Sequence, residues 1–181
     1  MEFAQNIWQT LVRAKADKKH PWRVLTLATQ SHEGPELRQV VLRGVNVGER
    51  CITVYTDARS QKIKHISTHP SVGLLFWDAR HNWQLRLWAH AQAESDSVKR
   101  AALWASIPDH ARKDYATHSA PGDALGPSGT PAIDLVTAEQ HFVVLHLQVH
   151  RMDSLVLKRE GHQRMALNWQ QDHWQETALV P

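Results

Sequence analysis

A single cysteine, Cys51, stands among the 181 residues, so no intramolecular disulfide can form and nothing requires an oxidising compartment. No apolar stretch approaches the roughly 18 residues that cross a bilayer as a helix. The N-terminal run, MEFAQNIWQTLVRAKADKKHPW, lacks the charged start, apolar core and small-residue cleavage site of a secretory signal. Lysine and arginine are dispersed, and the net charge is only +3, so no basic arm for nucleic acid is present. A glycine-rich loop is also missing, which excludes a nucleoside-triphosphate loop and a dinucleotide fingerprint. No internal repeat and no long linker divides the chain. These absences lead us to expect a cytoplasmic protein with no nucleic-acid or membrane partner, folded as one domain over residues 1–181.

What is present is ordinary for a globular chain: 42% apolar and 22% charged residues, with enough length to bury a full core. Residues 3–18 place Phe3, Ile7, Leu11 and Ala14 at helical spacing, ending before Pro21. Beyond Trp22 the period becomes two. Strands are expected over 23–29, 37–45, 50–56, 72–77 and 83–93, the first two joined through the turn cluster Ser31-His32-Glu33-Gly34-Pro35. A helix is expected over 60–68 with Ser60 as its N-cap, and two short ones over 97–105 and 109–117. Residues 119–131, rich in Gly, Pro and Ala, form a loop. A last β section follows, over 142–150, 154–158, 163–168 and 175–179. Hairpin-joined strands with few helices favour an antiparallel, Greek-key-like barrel with outer helices over a doubly wound sheet.

The run Arg38-Gln39-Val40-Val41-Leu42-Arg43 carries the first chemical signal. On a strand, Arg38, Val40 and Leu42 share one face, and Gln39, Val41 and Arg43 the other. Alone, this is an ordinary strand with two exposed arginines. The segment Tyr55-Thr56-Asp57-Ala58-Arg59-Ser60-Gln61-Lys62 changes its meaning. A strand end, a polar turn and a helix N-terminus together offer N–H groups and a favourable dipole to an anion. Arg38 and Lys62 complete a phosphate site there through charge-assisted hydrogen bonds.

These residues are similar to those of a known family, the pyridoxamine 5′-phosphate oxidase-like FMN-binding split barrels. Its strand Arg-x-Val-Leu-Leu-Lys, its Tyr-Thr and its Arg-Lys turn correspond here to residues 38–43, Tyr55-Thr56 and Gln61-Lys62. The family's apolar strand resembles Val72-Gly73-Leu74-Leu75-Phe76, and Gln84 stands where the family has a flavin-contacting glutamine. Residues 115–126, ending at Gly126, resemble its substrate-side loop. His162-Gln163-Arg164 and the segment 174–181 resemble its C-terminal His-Asp-Arg and closing strand. The resemblance covers nearly the whole chain and implies a mainly β, FMN-binding split barrel. It implies FMN as cofactor, with Arg38 and Lys62 on its phosphate. Val40, Val41, Leu42, Arg43, Tyr55, Thr56 and Gln61 would lie against the rest of it. It further implies a homodimer with FMN at the interface, since Gln84 and Arg164 come from the second subunit. Arg43 or Arg164 would meet the N1 and O2 edge, where reduced flavin gathers negative charge.

The departures are informative. On the substrate side Tyr115 matches, but Ser119 replaces the loop arginine, Asp123 replaces the loop serine, and Arg-Leu-His becomes Glu160-Gly161-His162. The family's flavin-contacting tryptophan falls near Leu155. At an effective dielectric near 20, each added acid costs a bound phosphate roughly a few kcal/mol. The pattern suits an oxidase-like branch better than the true oxidase. Three readings therefore stand: an FMN-dependent oxidoreductase acting on an unidentified small molecule, a flavin-binding or flavin-sensing module without turnover, and a genuine oxidase whose substrate cations come from elsewhere in the fold. No catalytic base is assigned.

Thirteen histidines raise the question of a metal. His141, His146 and His150 lack a supporting cysteine or carboxylate cluster, and His65 with His69 makes only two ligands, so no metal is expected. Trp22, Trp77, Trp83, Trp88 and Trp104 read as core and interface anchors. Nothing near Cys51 marks a reactive thiol.

Overall fold

In the computed structural model, which describes residues 2–125 and 129–181, helix α1 (Glu2–Ala16) buries Ala4, Ile7, Trp8, Leu11 and Ala14 and turns its charged residues to solvent. A 310 turn, Pro21–Arg23, follows it. There His20 Nδ1 accepts from the Trp22 backbone N–H at 3.1 Å, and the Trp22 ring drops into the core. Its ring lies 4.5 Å from that of Trp83 and 5.6 Å from that of Phe76, centroid to centroid.

Eight strands follow: β1 (Val24–Ser31), β2 (Gly34–Asn46), β3 (Cys51–Asp57), β4 (Ser71–Asp78), β5 (Trp83–Ala93), β6 (Phe142–Val156), β7 (Gln163–Gln170) and β8 (His173–Leu179). The sheet order is β3-β2-β1-β4-β5-β6-β7-β8, and β3 also pairs with β6. That extra pairing closes six strands into an antiparallel barrel, while β7 and β8 extend outside it. Because β4 returns beside β1 after the β1–β2–β3 meander, the connection is a Greek key. Alternating residues fill the interior: Leu25 and Leu27 from β1, Val40 and Leu42 from β2, Leu85 and Leu87 from β5.

The sequence periodicity suggests two strands across 142–158, but the structure has one. A bulge opposite Trp88 and Ala89 inserts one residue, so the buried positions change from Leu145, Leu147 and Val149 to Met152 and Ser154. That change of parity is what resembled a strand break. A second bulge lies at Arg43: Leu42 faces Val54, Gly44 faces Thr53, and Arg43 is the extra residue. Gly44 is required there, because a Cβ would sit 2.9 Å from Cβ and Oγ1 of Thr53.

Four further helices lie outside the barrel: α2 (Gln61–Thr68), α3 (Ser97–Ala105), α4 (Asp109–Arg112), continued by a 310 turn over Lys113–Tyr115, and α5 (Ala138–His141). Trp104, Tyr115 and Phe142 form a small aromatic cluster of their own, with ring centroids 5.4–5.7 Å apart. Among the described residues no helix is long and apolar enough to cross a membrane.

Candidate functional site

The sequence places Arg38 on the same strand face as Val40 and Leu42, and the structure carries it inward at the end of that row. Its Nη1 donates to Thr29 Oγ1 at 2.6 Å and to the Glu36 carbonyl at 2.9 Å, and its Nη2 meets Glu36 Oε2 at 3.0 Å. Lys62 reaches back from the first turn of α2 and donates to Thr56 Oγ1 at 2.9 Å. Thr56 Oγ1 lies 3.4 Å from the hydroxyl of Ser60. Ser60 holds the N-cap position as expected, but its side chain caps no helical N–H. The first turn of α2 is thus left without a side-chain cap, beside two cations. Burial, and after it the nearby Arg38 guanidinium, push the Lys62 ammonium below the ordinary lysine range. Lys62 makes no ion pair among the described residues, whereas Arg38 holds Glu36, whose side chain is half exposed. His65 joins the edge of this group, with Nδ1 3.1 Å from Thr29 Oγ1 and Nε2 3.8 Å from Glu36 Oε1.

Two neighbouring cations flanked by buried hydroxyls and a helix N-terminus offer the charge and donors that a phosphate requires. The residues present therefore fit the phosphate end of FMN. Val40 and Leu42 bury their side chains in the barrel, so only their backbone is available to a ligand. Gln61 is exposed at the start of α2.

Arg43 and Tyr55 stand elsewhere. The bulge turns Arg43 to the outer surface, where its guanidinium lies 5.7 Å from the Tyr55 ring centroid. Tyr55 packs edge-on against Phe142, and Tyr115 is buried beside it. Burial pushes the Tyr115 phenol up to about 12 and raises that of Tyr55, while Arg43 pulls both the other way.

Gln84 and Arg164 contact neither Arg38 nor Lys62. They share a row of the sheet with Leu155, on the outer surface. Arg164 Nη2 meets Asp153 Oδ2 at 3.0 Å, and Arg86 reaches the same oxygen at 2.9 Å. On the expected substrate side, Ser119 is exposed, with its carbonyl accepting from the Thr117 hydroxyl. Asp123 Oδ2 accepts from the Ala120 backbone N–H, and Gly126 lies outside the described residues. His162 is exposed in the β6–β7 turn, where Nδ1 accepts from the Lys158 N–H. None of these three contacts the buried Tyr115 ring.

Residues 5–94 match the sequence profile of the pyridoxamine 5′-phosphate oxidase FMN-binding domain. A solved pyridoxamine 5′-phosphate oxidase-related, FMN-binding protein of Nostoc punctiforme superposes with a TM-score of 0.79 at 26% identity, covering 98% of this chain and 96% of that one. The chain belongs to the pyridoxamine 5′-phosphate oxidase-like FMN-binding family. Within that family it is 28% identical over 174 residues to the pyridoxine/pyridoxamine 5′-phosphate oxidase of Thermosynechococcus vestitus, covering 87% of this chain and 78% of that protein. It is 38% identical to the enzyme of that name from Synechocystis over 101 residues, 52% of this chain and 45% of the relative. PhzG of Burkholderia lata, at 16% identity and a TM-score of 0.76, shares the fold.

The family profile covers Arg38, Arg43, Tyr55, Thr56, Gln61, Lys62 and Gln84, while Arg164 and the 115–126 loop lie beyond it. Sequence reasoning missed several residues around these positions. Thr29 meets Arg38 through the β1–β2 register, Glu36 lies two residues away on the same strand, and His65 reaches Thr29 and Glu36 through the docking of α2. Arg59 had a local signal in the Asp57-x-Arg59 turn. Its Nε and Nη2 grip Asp57, and its Nη1 ties down the Thr117 and His118 carbonyls at 2.7 and 3.1 Å.

Proposed function

We propose that the protein is an FMN-dependent oxidoreductase acting on a small molecule as a homodimer. The observation that carries this reading is the adjacency of Arg38, bonded to the Thr29 hydroxyl, and Lys62, bonded to that of Thr56 beside Ser60. Adjacent, partly buried cations repel, and a phosphate dianion between them removes that repulsion. In this reading Arg38 leaves Glu36 for the phosphate, and Glu36 turns to solvent. The N–H groups of the first α2 turn add their dipole. The strand backbone at 40–42 and the Tyr55 and Gln61 side chains line the rest of the cofactor, completed by Gln84 and Arg164 of the partner subunit. Bound FMN supplies two-electron chemistry, and the protein's part is to hold, orient and polarise it.

A second reading, the genuine oxidase, draws on its curated relatives and on Tyr115. It is separated from the first by aerobic peroxide production with pyridoxamine 5′-phosphate. The test common to both is direct. Purified protein is expected to be yellow, or to gain absorbance and melting temperature on addition of FMN. A colourless protein that responds to FMN in neither way overturns both readings.

A further inference from the structure

The turn joining β3 to α2 contains Ser60 and is flanked by Thr56 and Lys62. Two backbone bonds hold it: the Ser60 N–H donates to the Asp57 carbonyl at 3.1 Å, and the Ala58 N–H to the His141 carbonyl at 2.8 Å. Arg59 adds a third hold. Its Nε and Nη2 meet the two carboxylate oxygens of Asp57 at 3.0 and 2.7 Å, and its Nη1 donates to the carbonyls of Thr117 and His118 at 2.7 and 3.1 Å. The Thr117 hydroxyl lies 3.4 Å from Nη2, so each of the three guanidinium nitrogens is engaged within the chain. The segment that Arg59 grips is itself anchored. Thr117 bridges to Ile133, the His118 N–H donates to the Ala132 carbonyl at 2.8 Å, and the Asp134 N–H to the Ala116 carbonyl at 2.7 Å. Arg59 therefore fastens the β3–α2 turn to the connection that leads from α4 to α5. A planar fork is suited to this, since one edge matches a carboxylate while the remaining nitrogen reaches two carbonyls.

Charge gives the clasp a second consequence. Asp57 is 6% exposed, and a buried carboxylate is costly unless it is paired. Burial and the Arg38 guanidinium lower the Lys62 ammonium, and Asp57 is close enough to oppose them. Without Arg59, Asp57 would draw Lys62 to itself and repel an arriving dianion. With both Asp57 oxygens held by Arg59, Lys62 is left for a ligand.

We propose that Arg59 is a positioning residue for the FMN phosphate: it neutralises Asp57 and locks the turn between Thr56 and Lys62 onto the Thr117–His118 segment. The inference rests on the flavin reading above. Arg59 is not itself a phosphate ligand, because its nitrogens are engaged within the chain. It acts through Asp57 and through the placement of the Thr56, Ser60 and Lys62 donors. Its loss therefore bears on the phosphate end of the cofactor and not on the rest of it.

Equilibrium dialysis of FMN and of riboflavin, which lacks the phosphate, tests the assignment on wild type and Arg59 variants. Arg59→Ala is expected to weaken FMN about tenfold or more and to leave riboflavin within about twofold of wild type. Adding Asp57→Asn to Arg59→Ala should recover part of the FMN loss, because the uncompensated carboxylate is then gone. Arg59→Lys, which keeps the charge without the fork, should lose less than Arg59→Ala. Amide hydrogen exchange of the FMN-free protein reads the clasp without any flavin: the His118 and Asp134 N–H groups should exchange faster in Arg59→Ala. If Arg59→Ala does not fold, Arg59→Gln carries the same expectations. Unchanged FMN affinity, an equal loss of both flavins, no recovery on adding Asp57→Asn, or unchanged exchange each overturns the proposal. Wild type that binds FMN while the Arg59 variants bind it equally well would leave the flavin reading standing and remove this role. Wild type that binds neither flavin, with faster exchange in Arg59→Ala, would overturn the flavin reading and reduce Arg59 to a structural tie.

Discussion

Gln84 of β5 and Arg164 of β7 stand in one row of the sheet, with only Leu155 of β6 between them. The row continues to Trp77 on one side and Leu179 on the other, on the outer surface, where these two are 44% and 38% exposed. A chain that keeps an exposed tryptophan and leucine beside two polar residues implied in cofactor contact has a face suited to a second copy. Sedimentation of the wild type should give a dimer. Trp77→Asp should shift it toward monomer and weaken FMN binding together with it. A monomeric wild type that binds FMN tightly would contradict the shared site.

Asp153 lies beside that row on the same face of the sheet. It is 1% exposed and takes both Arg86 and Arg164. Asp153→Asn keeps its shape and removes the charge. Since both arginines stay partly hydrated, the expected loss is about 1–3 kcal/mol, read as a lower melting temperature. Asp153→Ala should cost more, because it also leaves a cavity.

The pH dependence of FMN binding follows from Lys62. In the FMN-free protein its ammonium lies below the ordinary lysine range. The folded chain therefore binds fewer protons than the unfolded chain at mildly alkaline pH, and this group's contribution to stability rises with pH there. A phosphate dianion restores the proton. Calorimetry near pH 9 in two buffers of different ionisation enthalpy should show proton uptake on FMN binding, and affinity should fall as pH rises through the Lys62 titration. Lys62→Met should abolish the uptake.

Gly44→Ala should be destabilising out of proportion to its size. The added Cβ meets Thr53 at 2.9 Å, so the bulge must shift, at a cost of about 1–3 kcal/mol. Chemical denaturation reads the stability loss. The same shift re-aims Arg43, whose guanidinium lies over the Tyr55 ring.

Much of this was legible in the sequence because it is local. Alternation located β5 at Trp83–Ala93 and helical spacing located α3 at Ser97–Ala105, each at the observed bounds. Arg38 and Lys62 could be paired because strand, turn and helix run consecutively between them. What escaped depends on register. The bulge in β6 reverses inward and outward positions at His150, so periodicity read one strand as two. Arg23 and Arg43 lie far apart in the chain and meet because β1 pairs with β2 with Val24 opposite Val41. Thr29 reaches Arg38 through the same β1–β2 register, and His65 reaches Thr29 through the docking of α2, so no motif records either contact.

The central claim is that Arg38 and Lys62 hold the FMN phosphate, and the most direct test is FMN affinity in the double variant Arg38→Ala, Lys62→Ala. Equilibrium dialysis, with circular dichroism to confirm folding and sedimentation to confirm the oligomeric state, supplies the measurement. The account predicts that the folded dimer loses FMN retention, while riboflavin, which lacks the phosphate, binds the variant and wild type about equally. A folded double variant that remains yellow, with FMN affinity at the wild-type level, would contradict it.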